Sequence, residues 1–157
     1  MNWIQIITPP LLMIIGGIVT WFIKSRAEEL RATEQRLEET RRKLYIQILE
    51  PYITLFADRT PQGQAKVIKT IQSIEYRKVV FELNLFASDT VVSAHNGLME
   101  HAFEAEKTGN QNPKELMRRW GALLLEIRRS LGNKKTNLRE FDMLRAMIKD
   151  IEGVSGG

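Results

Sequence analysis

The sequence predicts an all-α protein in which an N-terminal transmembrane helix continues into a charged stalk helix and then a small helical bundle. Residues 1–23 hold 15 apolar side chains and no charged one. All 42 charged residues of the 157-residue chain lie beyond them. In that charged part, apolar residues recur at helical spacing, and no two segments of strand character are available to pair with each other.

The segment from Trp3 to Ile23 is long enough to cross a bilayer, since a helix needs about 20 mostly apolar residues for that. Trp3 and Trp21 would lie roughly 27 Å apart along the helix. Both indoles can therefore occupy opposite membrane interfaces, where tryptophan is favoured. Pro9 and Pro10 are expected to kink the helix. An interfacial or re-entrant helix and a cleaved signal peptide are the alternatives.

The charges that flank this segment predict its orientation. No basic side chain precedes it, whereas Lys24, Arg26 and Arg31 follow it directly. Basic flanks stay in the cytoplasm, so we expect a bacterial inner-membrane protein with its N-terminus outside and its C-terminal domain in the cytoplasm. The predicted interface anchors are Trp3, Trp21, Lys24 and Arg26. The absence of cysteine is compatible with a reducing compartment.

The stretch from Lys24 to Lys43 is charged and contains neither glycine nor proline. It therefore predicts a juxtamembrane helix that continues directly from the membrane segment. Leu30, Leu37 and Leu44 recur every seven residues, which is typical of a coiled-coil seam. The complementary seam positions are polar, so a solvated helix without a coiled-coil partner is the alternative.

Residues 44–152 are predicted to form a domain of four or five helices, with a flexible tail at 153–157. We expect Pro51 to kink or end the first helix. The segment Asp58–Gly63 contains a proline and a glycine, which predicts a loop. Lys78–Ala87 alternates as a strand would, but an isolated strand is not stable. It is therefore predicted as helix, continuous with the helix before it.

Capping residues place the remaining helices. Ser88 is a good N-cap ahead of an apolar helical pattern. Asn112, followed by a proline and a glutamate three positions on, begins another helix, which Gly132 ends. Asn137 and Glu140 form a further cap pair and predict a last helix. The apolar face of that last helix comprises Leu138, Phe141, Leu144, Ile148 and Ile151.

No catalytic, cofactor-binding or metal-binding residues are predicted. His95 and His101 are six positions apart on one helix, hence about 240° apart around its axis, and a surface or boundary position is expected for both. Asp89, Asp142 and Asp150 are expected to serve as helix caps or ion-pair partners. No phosphate-binding glycine loop, nucleophile elbow or zinc-protease motif is present. We therefore expect a protein that is not an enzyme.

The last third of the chain is basic, with ten basic and five acidic residues between positions 114 and 150. A turn rich in lysine could contact a phosphate-bearing ligand or lipid head groups, and a solvated basic face is the alternative. A nucleic-acid partner is not expected, because no aromatic residues interleave with the basic ones. The candidate contacts for an anionic ligand or a partner are Arg128, Arg129, Asn133, Lys134, Lys135 and Thr136.

Two runs carry a resemblance to known proteins. They are LFASDTVVSAHNGL, from Leu85, and the pattern LGNKxTxL…D-LR…IKDI, from Leu131. Both resemble a group of small bacterial proteins with an N-terminal membrane helix, a charged helical stretch and a helical cytoplasmic domain. The resemblance extends over Leu44–Ile151. It implies this architecture and a bacterial or prophage origin, and it implies no activity and no site residues.

These features predict a single-pass inner-membrane protein whose helical domain binds an unidentified protein partner or a second copy of itself. A second hypothesis is a ligand-gated membrane effector, for example in antiviral defence. Such a protein would sense a nucleotide or phosphorylated ligand through its basic C-terminal region. An enzyme is the third hypothesis, and it requires a buried polar pocket around His95, His101 or Asp142.

Overall fold

The structure, a computed structural model, describes residues 3–58, 60–109 and 112–147, with side chains described from Ile18 onward apart from Val19. Every regular element within these residues is helical, and they contain no strand. The predicted all-α fold is therefore confirmed. The helices are α1 (Trp3–Ala57), α2 (Pro61–Gln72), α3 (Ile74–Phe86), α4 (Asp89–Thr108) and α5 (Pro113–Ser130), followed by a 3-10 turn at Phe141–Met143.

The chain divides into two compact units, Met1–Glu39 and Thr40–Gly157. In the first unit the described side chains of α1 are exposed, apart from the half-buried Ala27. Among the residues that the structure describes, no helix is both long enough and apolar enough to cross a bilayer. Most of the predicted membrane helix, residues 1–17, lies outside the described side chains. Its insertion into a membrane stays a prediction.

The second unit has one apolar core, built from the last part of α1 together with α3, α4 and α5. Trp120 of α5 packs on two aromatic rings of α1, with its centroid 4.4 Å from that of Tyr52 and 6.1 Å from that of Phe56. Such aromatic clusters bury large areas and stabilise a core strongly. The buried members of the core are Tyr45, Ile48, Tyr76, Leu83, Val91, Leu98, Trp120, Leu123, Ile127 and Leu144.

Pro51 does not end α1, and the loop that follows is shorter than predicted. α1 continues through Pro51 and ends at Ala57, because the residues after the proline pack on Trp120 and offset its cost to the helix. The predicted loop at Asp58–Gly63 is also shorter. α2 begins at Pro61, where a proline is well suited to the first helical position.

Ser73 separates α2 from α3, so the predicted continuous helix is wrong although both segments are helical. Ser73 has an extended backbone, with φ −69° and ψ 155°. Its Oγ accepts a hydrogen bond from the amide of Tyr76 at 3.1 Å, which caps the start of α3. A side-chain cap thus stops one helix and starts the next.

The predicted boundaries of α4 and α5 are confirmed, but the last predicted helix is wrong over its described part. α4 follows Ser88, and the Asn112 side chain accepts from the amide of Glu115 to cap α5. Between residues 137 and 147 only a 3-10 turn forms. There Asp142 accepts from the amide of Arg139 at 2.9 Å, a local bond that closes a single turn. Residues 148–151 lie outside the described residues.

Candidate functional site

The most distinctive surface of the second unit is one side of α3. Ile74, Phe81 and Leu85 are 67%, 67% and 63% exposed, although all three are large and apolar. Tyr76 and Leu83 occupy the opposite side of the same helix and are buried in the core. Contiguous exposed apolar side chains on a folded domain mark sites of interaction with other molecules. We refer to Ile74, Lys78, Phe81 and Leu85 as the α3 stripe.

Charged side chains border the α3 stripe on both edges. At 100° per residue, Arg77 lies along one edge, and Glu75 and Glu82 lie along the other. Lys78 lies within the stripe itself. All four are exposed, and none of them forms an ion pair within the described part of the chain. The stripe therefore presents apolar area and unneutralised charge side by side.

Hydrogen bonds fix both ends of α3, so the stripe has a defined position on the second unit. Ser73 caps the first turn. At the other end the Arg41 guanidinium donates through Nε to the carbonyl oxygen of Phe86 at 2.7 Å, which satisfies a carbonyl that the helix leaves without an internal partner. From the first turn of α3, the Tyr76 hydroxyl also donates to the carbonyl oxygen of Ile48 on α1 at 3.3 Å. The side of α3 that faces solvent is thus set by contacts of its other side.

The sequence pattern of Lys78–Ala87 contains a signal for this surface. Lys78–Ala87 alternates between apolar and polar residues because apolar residues occur on two opposite sides of one helix. Leu83 belongs to the core, whereas Phe81 and Leu85 face solvent. A strand-like alternation in a segment without a partner strand therefore indicates a helix with a second apolar side.

The basic residues predicted near the C-terminus are brought together only in part. The Arg128 guanidinium donates through Nε to the Thr136 hydroxyl at 3.3 Å, and Arg129 pairs with Glu126. Lys134 and Lys135 are exposed. The Asn133 backbone bridges the turn: its amide donates to the Arg128 carbonyl, and its own carbonyl accepts from the amide of Thr136, both at 3.2 Å.

This basic turn has little of the geometry that binds an anion. It follows the carboxyl end of α5, where the helix dipole is negative and disfavours a phosphate. The amides of Leu131, Gly132 and Asn133 already donate to carbonyls of α5. Phosphate sites use free amides at the opposite, N-terminal end of a helix. The turn offers the exposed cations Lys134 and Lys135 at the opposite, C-terminal end of a helix.

The predicted membrane-interface residues lie in the first unit. Trp21 is 68% exposed. Lys24 lies 4.0 Å from the carboxylate of Glu28, and the Arg26 guanidinium lies 5.5 Å from the centroid of the Phe22 ring. The side chain of Trp3 is outside the described side chains.

The histidines differ from each other in burial. His95 is only 2% exposed, so its predicted surface or boundary position is wrong, and burial lowers its pKa. Neither of its ring nitrogens has a hydrogen-bond partner within the described residues. His101 is half-buried and lines a cavity of about 390 Å³ together with Asn112 and Leu116. The described residues contain no group of three or more side chains that could hold a metal ion.

Asp89 and Asp142 lie in different elements of the described part of the chain. Asp89 lies in the first turn of α4. Asp142 caps the turn that begins at Arg139 and lies 3.6 Å from the guanidinium of Arg145. Asp150 lies outside the described residues. Asp142 thus has the structural role that was expected of it, whereas no cap or ion pair of Asp89 is seen within the described residues.

Comparison with known proteins identifies no matching family model, no similar curated protein and no similar solved structure.

Proposed function

We propose that this chain is a non-enzymatic, single-pass membrane protein whose helical unit, Thr40–Gly157, binds protein through the α3 stripe. The observation that carries this proposal is the exposure of three large apolar side chains on a helix whose other side already belongs to the core. Those three side chains are not part of the core of this domain. Binding to another protein is the simplest reason for their presence there.

The size of the apolar surface supports binding of useful strength. Burying an exposed large apolar side chain gains about 1.5–3 kcal/mol. Ile74, Phe81 and Leu85 are each about two-thirds exposed, so each would contribute roughly two-thirds of that gain. Because α3 is held at both ends, ordering this surface costs little conformational entropy when a partner binds.

The sequence of the first unit supports the membrane part of the proposal. Residues 1–23 carry no charge, and basic residues beginning at Lys24 follow them, as is typical of a cytoplasmic flank. The proposed location is the bacterial inner membrane, with the N-terminus outside. Tethering the helical unit to a membrane raises the effective concentration at which it meets a membrane-bound partner.

Site-specific crosslinking of the full chain in native membranes tests the interaction. A photo-reactive amino acid at Phe81 is expected to give a protein adduct, because this position lies in the middle of the α3 stripe. The same amino acid at Glu104, an exposed position on α4, is the matched control and is expected to give none. If Phe81 gives no more adduct than Glu104, the proposal is wrong.

Thiol labelling tests the membrane topology separately. The chain has no cysteine, so Asn2→Cys and Glu104→Cys each introduce a single thiol. In intact cells a membrane-impermeant maleimide is expected to label Asn2→Cys but not Glu104→Cys. Labelling of both or of neither, or recovery of the chain in the soluble fraction, would contradict the proposed topology.

A further inference from the structure

We propose that the partner of the α3 stripe is a second copy of this chain, and that the two α3 helices pack in parallel about a two-fold axis. This inference rests on the proposed function, since it takes the stripe as the binding surface. It adds the identity of the partner and the direction of the pairing.

The stripe has the spacing of a coiled-coil seam. Ile74, Lys78, Phe81 and Leu85 follow one another at intervals of four, three and four residues, which are successive d, a, d and a positions of a heptad. The buried residue Leu83 then takes an f position, on the far side of the helix. The surface that a second helix would contact is therefore distinct from the surface that the core of the domain uses.

The charges on the edges of the stripe are complementary between two parallel copies. In this heptad Arg77 is a g residue and Glu82 is the e residue five positions later. In a parallel pair, a g residue of one helix lies beside the following e residue of the other. Arg77 of one copy would therefore meet Glu82 of the second copy, and the two-fold axis would repeat this pair.

The same charges disfavour the opposite direction of pairing. In an antiparallel two-fold pair each edge of the stripe meets the identical edge of the other copy. With the two stripes overlapped in that direction, so that position 74 lies opposite position 85, Glu82 would lie beside Glu75 of the second copy, and Arg77 would lie beside Asn84 and find no acidic partner. Like charges placed opposite each other destabilise a pair of helices. Neither Arg77 nor Glu82 has an ion-pair partner within the described part of the chain, so both are available for the parallel pair.

Lys78 explains why such a dimer would be specific but weak. In the parallel pair Lys78 occupies an a position and lies opposite Lys78 of the second copy, across the two-fold axis. A single lysine at an a position lowers stability while fixing register and oligomeric state. α3 has only 13 residues, so its interface is smaller than the roughly 800 Å² per partner of a standard complex. Confinement in one membrane would offset this weakness by raising the local concentration.

Disulfide crosslinking distinguishes the direction of pairing. The variants Ile74→Cys and Leu85→Cys each place one thiol on the stripe of the full chain in native membranes, where a mild oxidant is added. In a parallel pair each variant is expected to crosslink to itself. In an antiparallel pair neither would do so, because positions 74 and 85 lie roughly 16 Å apart along the helix. Glu104→Cys is the control and is expected to stay monomeric.

Exchanging the charges of Arg77 and Glu82 tests whether the partner of the α3 stripe is a second copy or a different protein. Arg77→Glu and Glu82→Arg are each expected to weaken the detergent-solubilised dimer about tenfold, because each turns two attractive pairs into repulsive ones. The variant that carries both changes restores the attraction and is expected to recover the original dimer affinity. Lys78→Leu is expected to strengthen the dimer. Sedimentation of the purified full chain measures all four variants.

The outcomes separate this inference from the proposed function. Self-crosslinking at positions 74 and 85 but not 104, with recovery in the double charge variant, supports a parallel dimer. If a disulfide forms only when the Ile74→Cys chain and the Leu85→Cys chain are present together, the parallel direction is overturned. An adduct of Phe81 with another protein, without self-crosslinking, overturns the second copy and leaves the proposed function standing. Binding of the stripe to anionic lipid vesicles, with no protein adduct, overturns both.

Discussion

α3 and α5 pack into the same core, yet they use their apolar residues differently. In α5 the large apolar residues Trp120, Leu123 and Ile127 are all at most 6% exposed. In α3 the large apolar residues are divided between two sides, and Phe81 is as exposed as many charged residues. Folding alone accounts for the apolar residues of α5. It accounts for only half of those in α3, and the other half requires a role outside the core.

The charges of the two helices differ in the same way. In α5 the Glu115 carboxylate accepts hydrogen bonds from Arg118 at 2.7 Å and from Arg119 at 2.8 Å. Arg119 also donates to the carbonyl oxygen of Gly97 on α4 at 2.8 Å. The charged residues Arg77 and Glu82 of α3 have no such partners within the described part of the chain. The charged residues of α5 named here therefore find partners within the chain, whereas Arg77 and Glu82 of α3 remain available to a partner molecule.

Truncation of one aromatic residue in each helix should give the largest difference. Trp120→Ala is expected to lower the free energy of unfolding by about 3–5 kcal/mol, because it empties the centre of the core. Phe81→Ala is expected to change it by less than about 0.5 kcal/mol when the chain is monomeric, since the ring faces solvent. Chemical denaturation of the detergent-solubilised chain measures both. Similar losses would show that α3 and α5 contribute alike to the core.

The acid dependence of stability should reveal the paired carboxylate of α5. Its hydrogen bonds to Arg118, and further those to Arg119, lower the pKa of Glu115 to about 2. A depressed carboxylate pKa stabilises the fold above the unfolded value near 4.5, and that contribution is lost as the pH falls towards 2. The melting temperature of Glu115→Gln should therefore lie below that of the original chain at neutral pH, and the gap should close in acid.

The matched control for that experiment is Glu75→Gln on α3. Glu75 is exposed and has no ion pair in the described part of the chain. Its variant is expected to change the melting temperature at neutral pH much less than Glu115→Gln does. A gap for Glu115→Gln that stays constant down to pH 2 would contradict the assignment of the effect to the carboxylate charge.

The smallest effect is expected at the basic turn. The double variant Lys134→Ala/Lys135→Ala should melt like the original chain, because both lysines are exposed. Addition of ATP or inorganic phosphate should not raise the melting temperature of either protein, since the turn lies at the negative end of the α5 dipole. A shift in the original chain that the double variant loses would instead favour a ligand-gated effector.

Local signals in the sequence were sufficient to place α5. The cap at Asn112 and the glycine at position 132 act within one turn of the helix, so their effect can be read from neighbouring residues. The apolar face of α5 repeats at a single helical period, and it coincides with the side that the core covers. For this helix the local and tertiary preferences agree.

Tertiary contacts determine three features of the structure that local sequence patterns do not predict. Pro51 remains inside α1 because the residues after it pack on Trp120. Burial of His95 depends on the packing of α4, which no local pattern reveals. The division of α3 into a buried and an exposed apolar side has the same origin, since both sides carry residues of similar size. The sequence therefore predicted the helix but not the candidate site on it.

The two apolar sides of α3 would allow this helix to pack on the core in two alternative ways. α3 carries large apolar residues on opposite sides, so rotation by half a turn about its axis would offer the core Phe81 and Leu85 in place of Tyr76 and Leu83. Hydrophobicity alone discriminates weakly between these two arrangements. The bond from Arg41 to the Phe86 carbonyl and the bond from the Tyr76 hydroxyl to the Ile48 carbonyl both tie α3 to α1 and select one of them. Two polar contacts thereby decide which side of this helix the protein shows to other molecules.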